Sequence, residues 1–214
     1  MKIDLHVHTS FSLDSIIRPE DLAKKSARLG IIPAITDHNS TAAFPVFRKL
    51  GLPFIAGEEI RTDRGDLTAL FINEPFPKNI AFGEALDLIK EQGAISYLPH
   101  MYDATRHGVV PSSEEIPKID IIEVFNSRCL GSGCNKKARQ FAERHSKLQA
   151  VGSDSHFLFE FGSTYNELPD FGTPKEFLKS LEKAVFTTKA APFYVRGTTS
   201  LVKFGKKFLR AKHI

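Results

Sequence analysis

The chain reads as one α/β domain built on parallel strands, and three observations lead there. Apolar, strand-like runs alternate with amphipathic, helix-like stretches along most of the sequence. Where such a strand-like run stops, a side chain able to bind a cation usually follows. The length, 214 residues, suits a single domain with a sizeable core. Parallel α/β barrels assemble their sites where strand C-termini and the following loops meet, so a barrel is the expected arrangement.

The elements follow in order. Residues 3–7 form a strand that enters His6-Val7-His8. Pro19-Glu20-Asp21 opens a helix over 19–29, because proline and acids favour a helix start, and Gly30 favours its end. A strand over 31–36 stops at Asp37-His38-Asn39. A helix over 44–50 precedes the run 53–56, which leads into Gly57-Glu58-Glu59. Residues 66–72 read as a strand, 81–92 as a helix, and 94–98 as a strand closed by Pro99-His100. A strand over 119–125 ends at Asn126-Ser127-Arg128; 136–145 is helical; 148–151 leads to Gly152-Ser153-Asp154-Ser155-His156.

Composition narrows the function classes. Forty-two per cent hydrophobic and 25 per cent charged residues are ordinary for a soluble protein, and no apolar stretch approaches the ~20 residues that span a bilayer. The N-terminus enters a strand at once, so no secretory signal or anchor is expected. Cys129 and Cys134 are too few for a disulfide framework, and their spacing does not suit a structural zinc site. A cytoplasmic setting follows. Of 29 basic residues, eight lie after Glu182 where no acid occurs, leaving 21 against 25 acids in the remainder. The body is mildly acidic and the tail strongly basic.

His6 and His8 point to the same side of an extended strand, so both imidazoles can converge on one ion. Imidazole suits divalent transition metals. One such pair is weak, since a strand surface carries them by chance. Repetition of the pattern at His38, Glu59, His100, Asp154 and His156 makes turn capping a poor explanation of the set. A polynuclear metal site explains it better. Glu58 adjoins Glu59 in a strand and should face the other way, in a packing role, while Asp37 is placed to orient ligands or accept backbone amides.

With His6-x-His8-Thr9, Thr36-Asp37-His38-Asn39, Gly57-x-Glu59, Pro99-His100 and Gly152-Ser153-Asp154-x-His156 in hand, the chain resembles the PHP (polymerase and histidinol phosphatase) family over residues 1 to about 165. The resemblance implies a distorted (β/α)7 TIM-like barrel and a metal-dependent phosphoesterase with two or three divalent ions (Zn, Mn or Fe). It assigns His6, His8, Glu59 and Asp154 to one ion, and Asp14, His38 and His156 to a second. Glu59 and His100 would hold part of a third. His6, His8, Glu59, Asp154 and His156 would carry the reaction, hydrolysis of a phosphate ester by a metal-bound hydroxide. Many trinuclear members have a further histidine, but residues 60–99 contain none and the matching place looks like Thr68. Water, Asp66 or Glu74 would then complete the third ion, or only two ions bind firmly.

Phosphate binding calls for cations beyond the metals. Arg106 and Arg128, each on a loop after a strand, could grip a phosphate bidentately. His107 could serve as a general acid or sit at the surface; His145 and His213 suggest no role. The domain is expected over 1–190, with a basic amphipathic segment over 191–214. There Leu201, Val202, Phe204, Phe208 and Leu209 share one helical arc, opposite Lys203, Lys206, Lys207 and Arg210. The plain expectation is an apolar side packed on the barrel with the basic face in solvent. Contact with nucleic acid or an anionic membrane surface is the alternative. The expected substrates are phosphorylated small molecules or nucleotides, with a nuclease as the near rival. From a different class, the chain could be a non-catalytic accessory PHP module binding metal and nucleic acid.

Overall fold

A computed structural model describes residues 1–131 and 133–211. The strands are β1 (Lys2–Val7), β2 (Ile31–Ile35), β3 (Ile55–Arg61), β4 (Asp66–Leu70), β5 (Ile95–Leu98), β6 (Ile121–Asn126), β7 (Leu148–Gly152), β8 (Tyr165–Glu167) and β9 (Val185–Thr187). The helices are α1 (Pro19–Leu29), α2 (Phe44–Leu50), α3 (Phe82–Glu91), α4 (Gly133–Arg144), α5 (Pro174–Leu181) and α6 (Val195–Ala211). Gly30 and Gly51 end α1 and α2 in the left-handed region, at φ 64° and 65°, where glycine is free of Cβ strain.

One sheet runs in the order β7-β6-β5-β4-β3-β2-β1-β8-β9. β1, β2 and β3 are parallel, as are β5, β6 and β7. β4 is antiparallel to both neighbours, which departs from the all-parallel arrangement that the strand-end pattern suggests. Four residues join β3 to β4, with Thr62 Oγ1 donating to the Gly65 carbonyl at 2.6 Å. So short a link permits only a hairpin. Its consequence matters: Asp66, at the start of β4, lies opposite Arg61 at the same barrel end as the C-termini of the parallel strands.

β7 comes back against β1, and the barrel nearly closes. Val7 and Ser155 form a single bridge. Asn166, on β8, completes the seam with its side chain. Its Nδ2 donates to the carbonyls of Ile3 (3.1 Å) and Val151 (2.8 Å), and its Oδ1 accepts the Val151 N–H at 3.0 Å. A primary amide thus does the work of a strand edge between β1 and β7. The result is a distorted (β/α)7 TIM-like barrel with β8 and β9 appended.

Successive residues of a strand go to different cores. Ala34, Leu70, Tyr97, Ile121 and Ala150 join Phe177 and Leu181 of α5 in one cluster. Their neighbours Ile35, Ala69, Leu98, Ile122 and Val151 pack in another with α1, α2, α3 and α4. The period of two and its double burial explain why these strands read as continuous apolar runs. Sequence reading passed over α5, β8 and β9. The two strands are three residues each, too short for periodicity, although Thr173 Oγ1 accepting the Glu176 N–H (3.2 Å) ahead of Pro174 marks the start of α5.

The C-terminal helix is longer than the predicted 201–210, and most of its apolar arc faces away from the barrel, with Val202 and Lys206 half-buried. Leu201, Phe204, Phe208 and Leu209 are 54–73 % exposed. Lys206 Nζ donates to the carbonyls of Ser10 (2.9 Å), Ser12 (2.8 Å) and Ser15 (2.5 Å), in the loop after β1. Val195 is buried at the other end, and its carbonyl accepts from Arg128 at 3.2 Å. Backbone carbonyls on the barrel rim, rather than apolar surface, therefore decide which face of α6 turns inward. His213 and the side chain of Arg210 lie outside the described residues.

Candidate metal centre

His6, His8, Asp14, His38, Glu59, His100, Asp154 and His156 all arrive at one end of the barrel. Glu59 is at the centre. Its Oε1 lies 3.0 Å from His100 Nε2 and 3.6 Å from His6 Nε2; its Oε2 lies 2.9 Å from His38 Nδ1 and 3.3 Å from His8 Nε2. Asp154 Oδ1 stands 3.4 Å from His8 Nε2 and 3.6 Å from His6 Nε2. Asp14 bridges the outer pair, with Oδ2 3.4 Å from His38 Nε2 and Oδ1 3.5 Å from His156 Nε2.

Four overlapping triads have ligand atoms within 4.8 Å of one another: His8/His38/His156, His6/His100/Asp154, His6/His8/Glu59 and Glu59/Asp66/His100. The hairpin is what brings Asp66 in. Glu74, the other carboxylate considered for that place, is exposed. Thr68 pairs directly with Glu59 across β3 and β4, which agrees with the position assigned to it by motif order.

Hydrogen bonds behind the imidazoles settle which nitrogen faces the centre. His6 Nδ1–H donates to Glu123 Oε1 at 3.0 Å. His156 Nδ1–H donates to the Asp154 carbonyl at 2.8 Å. Ser12 Oγ gives its proton to Asp37 Oδ1 (2.7 Å) and accepts the His38 N–H (3.0 Å), leaving a lone pair for His8 Nδ1–H at 3.3 Å. His6, His8 and His156 therefore all turn Nε2 inward. His6 and His8 do so 3.1 Å apart, an arrangement that suits two ligands of one cation and not two neighbours alone.

The unsatisfied atoms agree. Glu59 Oε2, His38 Nδ1, His100 Nδ1 and Asp14 Oδ1 are buried and form no hydrogen bond. His38 Nδ1 and Glu59 Oε2 are 2.9 Å apart without hydrogen-bond geometry, so they converge without either donating. Buried polar atoms are normally paired. A cluster of imidazoles and carboxylates left unpaired in one place fits divalent cations, and the mix of N and O donors suits first-row metals.

The field within the cluster keeps Glu59 and Asp154 charged. Burial opposes ionisation of Glu59, but His38 and His6 hold it well below the usual range. Burial likewise resists the charge on Asp154, which His6 and Arg106 overcome. Burial, with His156 and His38 close by, pushes His8 down to about 3, so its imidazole stands neutral.

Backbone geometry at the strand ends is specialised. His100 (φ 30°) and Asp154 (φ 53°) occupy the left-handed region, a conformation costing about 1–3 kcal/mol each for such residues. Such outliers persist only where the surroundings over-determine them. The His100 N–H donates to Glu123 Oε2 at 2.7 Å. Gly152, just before, admits no side chain: a Cβ there would meet His6 Cβ at 2.6 Å and collide with Glu123 Oε1.

Glu123 is the residue that sequence reading missed. Besides His6 and His100, it accepts from Tyr97 Oη (2.7 Å) and Asn126 Nδ2 (2.9 Å), so its carboxylate is fully engaged. The available signal was a lone acid inside the apolar run Ile121-Ile122-Glu123-Val124. Asp37 behaves as expected, accepting the Thr9 N–H (2.7 Å) and hydroxyl (2.6 Å). Glu58 does face the other way, toward the Phe76 N–H at 3.2 Å.

Above the cluster lies a cavity of about 170 Å³. Arg106 lines it and donates to Asp154 Oδ2, to Asp103 Oδ2 (3.1 Å) and to Asn126 Oδ1 (3.0 Å). Arg128 also reaches its wall, but it is buried and committed to Glu160 Oε1 at 2.9 Å. His107 is exposed at the rim. α6 closes the far side with Arg196, Thr199, Ser200 and Lys203. His145 is elsewhere, its ring tilted against that of Phe141 with centroids 4.4 Å apart.

The family model of the PHP domain matches residues 4–208. The chain belongs to the PHP family. Among PHP relatives, an uncharacterised protein of Methanocaldococcus jannaschii, MJ0417, is 40 % identical over 195 residues, covering 85 % of this chain and 79 % of its own. A two-domain Bacteroides vulgatus protein containing a predicted PHP-like metal-dependent phosphoesterase has a similar structure. Its TM-score is 0.71 at 18 % identity, over 88 % of this chain and 65 % of that one. The lesion-specific endonuclease of Pyrococcus furiosus follows with TM-score 0.60 and 16 % identity, over 85 % of this chain and 56 % of that one. This PHP chain thus spans about two thirds or less of those two proteins, and likeness at such identity shows the shared fold.

Proposed function

We propose that this PHP protein hydrolyses phosphate esters at a cluster of two or three divalent ions, Zn, Mn or Fe. One observation carries the reading: the Glu59 carboxylate has imidazoles on both oxygens, His6 and His100 at Oε1, His8 and His38 at Oε2. A carboxylate so placed can be shared by two cations. In this reading His6, His8, Glu59 and Asp154 hold one ion, Asp14, His38 and His156 a second, and Glu59, His100 and Asp66 a third. Such ions, when bound, supply Lewis acidity to activate water and neutralise phosphate oxygens.

The chain's own groups do the rest. Glu123, Ser12 and the Asp154 carbonyl hold His6, His8 and His156 in the tautomer that leaves Nε2 bare. Arg106, fixed by Asp103 and Asn126, sets a permanent positive charge at the cavity wall where a phosphate oxygen would lie. Arg128, the other arginine considered for this role, supports α6 instead through the Val195 carbonyl. The small cavity, bounded on one side by α6, favours a phosphorylated small molecule or nucleotide over a polymer. Lys203 lines the cavity and Lys206 binds the loop after β1, so these two cations of the basic segment serve the rim of the site. A cytoplasmic setting belongs to the same reading, supported by two cysteines that form no disulfide. Among the described residues no helix is long and apolar enough to cross a membrane.

The test is metal analysis of purified protein, then assay of a phosphomonoester, a phosphodiester and short RNA with Mn²⁺ added. Turnover that disappears in His8→Ala supports the proposal. Bound metal without turnover of any ester overturns it in favour of the accessory-module reading, and preference for diester or RNA would make the chain a phosphodiesterase or nuclease.

A further inference from the structure

The cavity over the cluster has a neighbour. Asp14, His38, Arg61 and Lys203 line it and also line a second space of about 600 Å³. The first space, about 170 Å³, equals the share of roughly five or six waters, room for a phosphoryl group and little else. Whatever is esterified to that phosphoryl group has to extend beyond the cavity, and the shared wall offers a way out. Phe11 and Leu13 after β1, Ser40 after β2, and Lys78 and Asn79 ahead of α3 complete the second space.

The chemistry of those walls is specific. Phe11 lines the pocket and is 37 % exposed, unlike Phe47 and Phe82, which are fully buried, so aromatic surface is available there. Asp14 is the acid in this wall, and it is turned toward His38 and His156. Arg61 shares its charge with Asp66 at 2.6 Å. Among the described residues no acid pairs with Lys203, at the junction, or with Lys78, away from it. Apolar surface between cationic positions complements a ring that carries an anion of its own.

Resting on the phosphoesterase reading, we propose that this side pocket is the leaving-group subsite, and that the preferred substrate is a phosphate monoester whose ring-sized leaving group bears a second negative charge. The phosphoryl group occupies the cavity at Glu59 and Asp154. The ester oxygen passes between Arg61 and Lys203, the ring lies on Phe11, and the second anion meets Lys78. Hydrolysis adds water across the P–O bond, so inorganic phosphate stays in the cavity and the alcohol, with its charge, leaves through the side pocket.

Methyl phosphate, benzyl phosphate and 4-carboxybenzyl phosphate test this, because their alcohols leave with similar intrinsic ease. On the metal-loaded full chain, kcat/KM should rise in that order by about tenfold per step, the discrimination one well-fitted contact supplies. Phe11→Ala should erase most of the benzyl-over-methyl step, and Lys78→Ala the carboxybenzyl-over-benzyl step. Calorimetric titration with the three matching phosphonates, which cannot be hydrolysed, should show the same order of affinity. Equal kcat/KM for the three esters, or steps that neither substitution moves, would overturn the subsite. If no ester turns over while metal is bound, the phosphoesterase reading fails, and the phosphonate affinities alone then decide whether the side pocket binds such a group.

Discussion

Glu123 Oε1 accepts the Nδ1–H of His6 at 3.0 Å, from a position 117 residues away and with both side chains fully buried. The same carboxylate holds Tyr97, the His100 backbone and Asn126. It therefore fixes the orientation of one imidazole and the strained turn that carries another.

Glu123→Gln keeps the shape but removes the charge and one acceptor oxygen. Loss of such an outer partner typically costs about 10–100-fold in metal affinity. Competition with a chromogenic chelator would measure it, and unchanged affinity would show that His6 needs no such support.

Metal should stabilise the fold. Glu59 and Asp14 each keep a buried oxygen unpaired, so an ion bound to the folded chain alone adds about 2.7 kcal/mol at a hundred times its Kd. For a domain of this size that is a rise in Tm of roughly 5–10 °C. Calorimetry before and after chelation decides it; equal Tm values would count against the cluster as a metal centre.

Asn166→Ala breaks three hydrogen bonds across the β1/β7 seam and leaves the groups at Ile3 and Val151 buried without partners. At about 1–3 kcal/mol for each stranded group, a loss of about 3 kcal/mol or more is expected in urea unfolding. A variant of native stability would mean that the seam is held by something else.

Cys129 is buried beside Arg106, and burial pushes its thiol up to about 12. The thiolate is the reactive form, so at pH 8 iodoacetamide should leave Cys129 untouched while half-buried Cys134 is modified first. Raised folded pKa means the thiol form is the one the fold favours. Protection should persist through neutral pH and fail as pH climbs past the unfolded thiol's range toward 12. Peptide mass mapping across that range reads the result; early labelling of Cys129 would contradict its burial.

Lys206→Met removes an ammonium from the carbonyls of Ser10, Ser12 and Ser15, the loop that carries Asp14. The ion nearest Asp14, His38 and His156 should bind several-fold more weakly, while that at His6 and His8 should change little. Metal titration with two resolved affinities would show it, and parallel loss at both would point to general unfolding.

What the residues announced and what folding had to decide divide along a physical line. His6, His8, His38, Glu59, His100, Asp154 and His156 were legible one strand end at a time, because a strand's period of two and its stopping point are local properties. Gly30 as a helix end was equally local. Glu123 and Asn166 were not, since each acts on a partner that only the closed barrel brings near, and the choice of Asp66 over water or Glu74 was left open. Asp66 reaches the site because a four-residue link forces β4 to run backward. The inward face of α6 was misread for a related reason: amphipathicity tells which residues share an arc, whereas the surface they meet, here a ring of backbone carbonyls that wants a lysine, exists only once the chain has closed on itself.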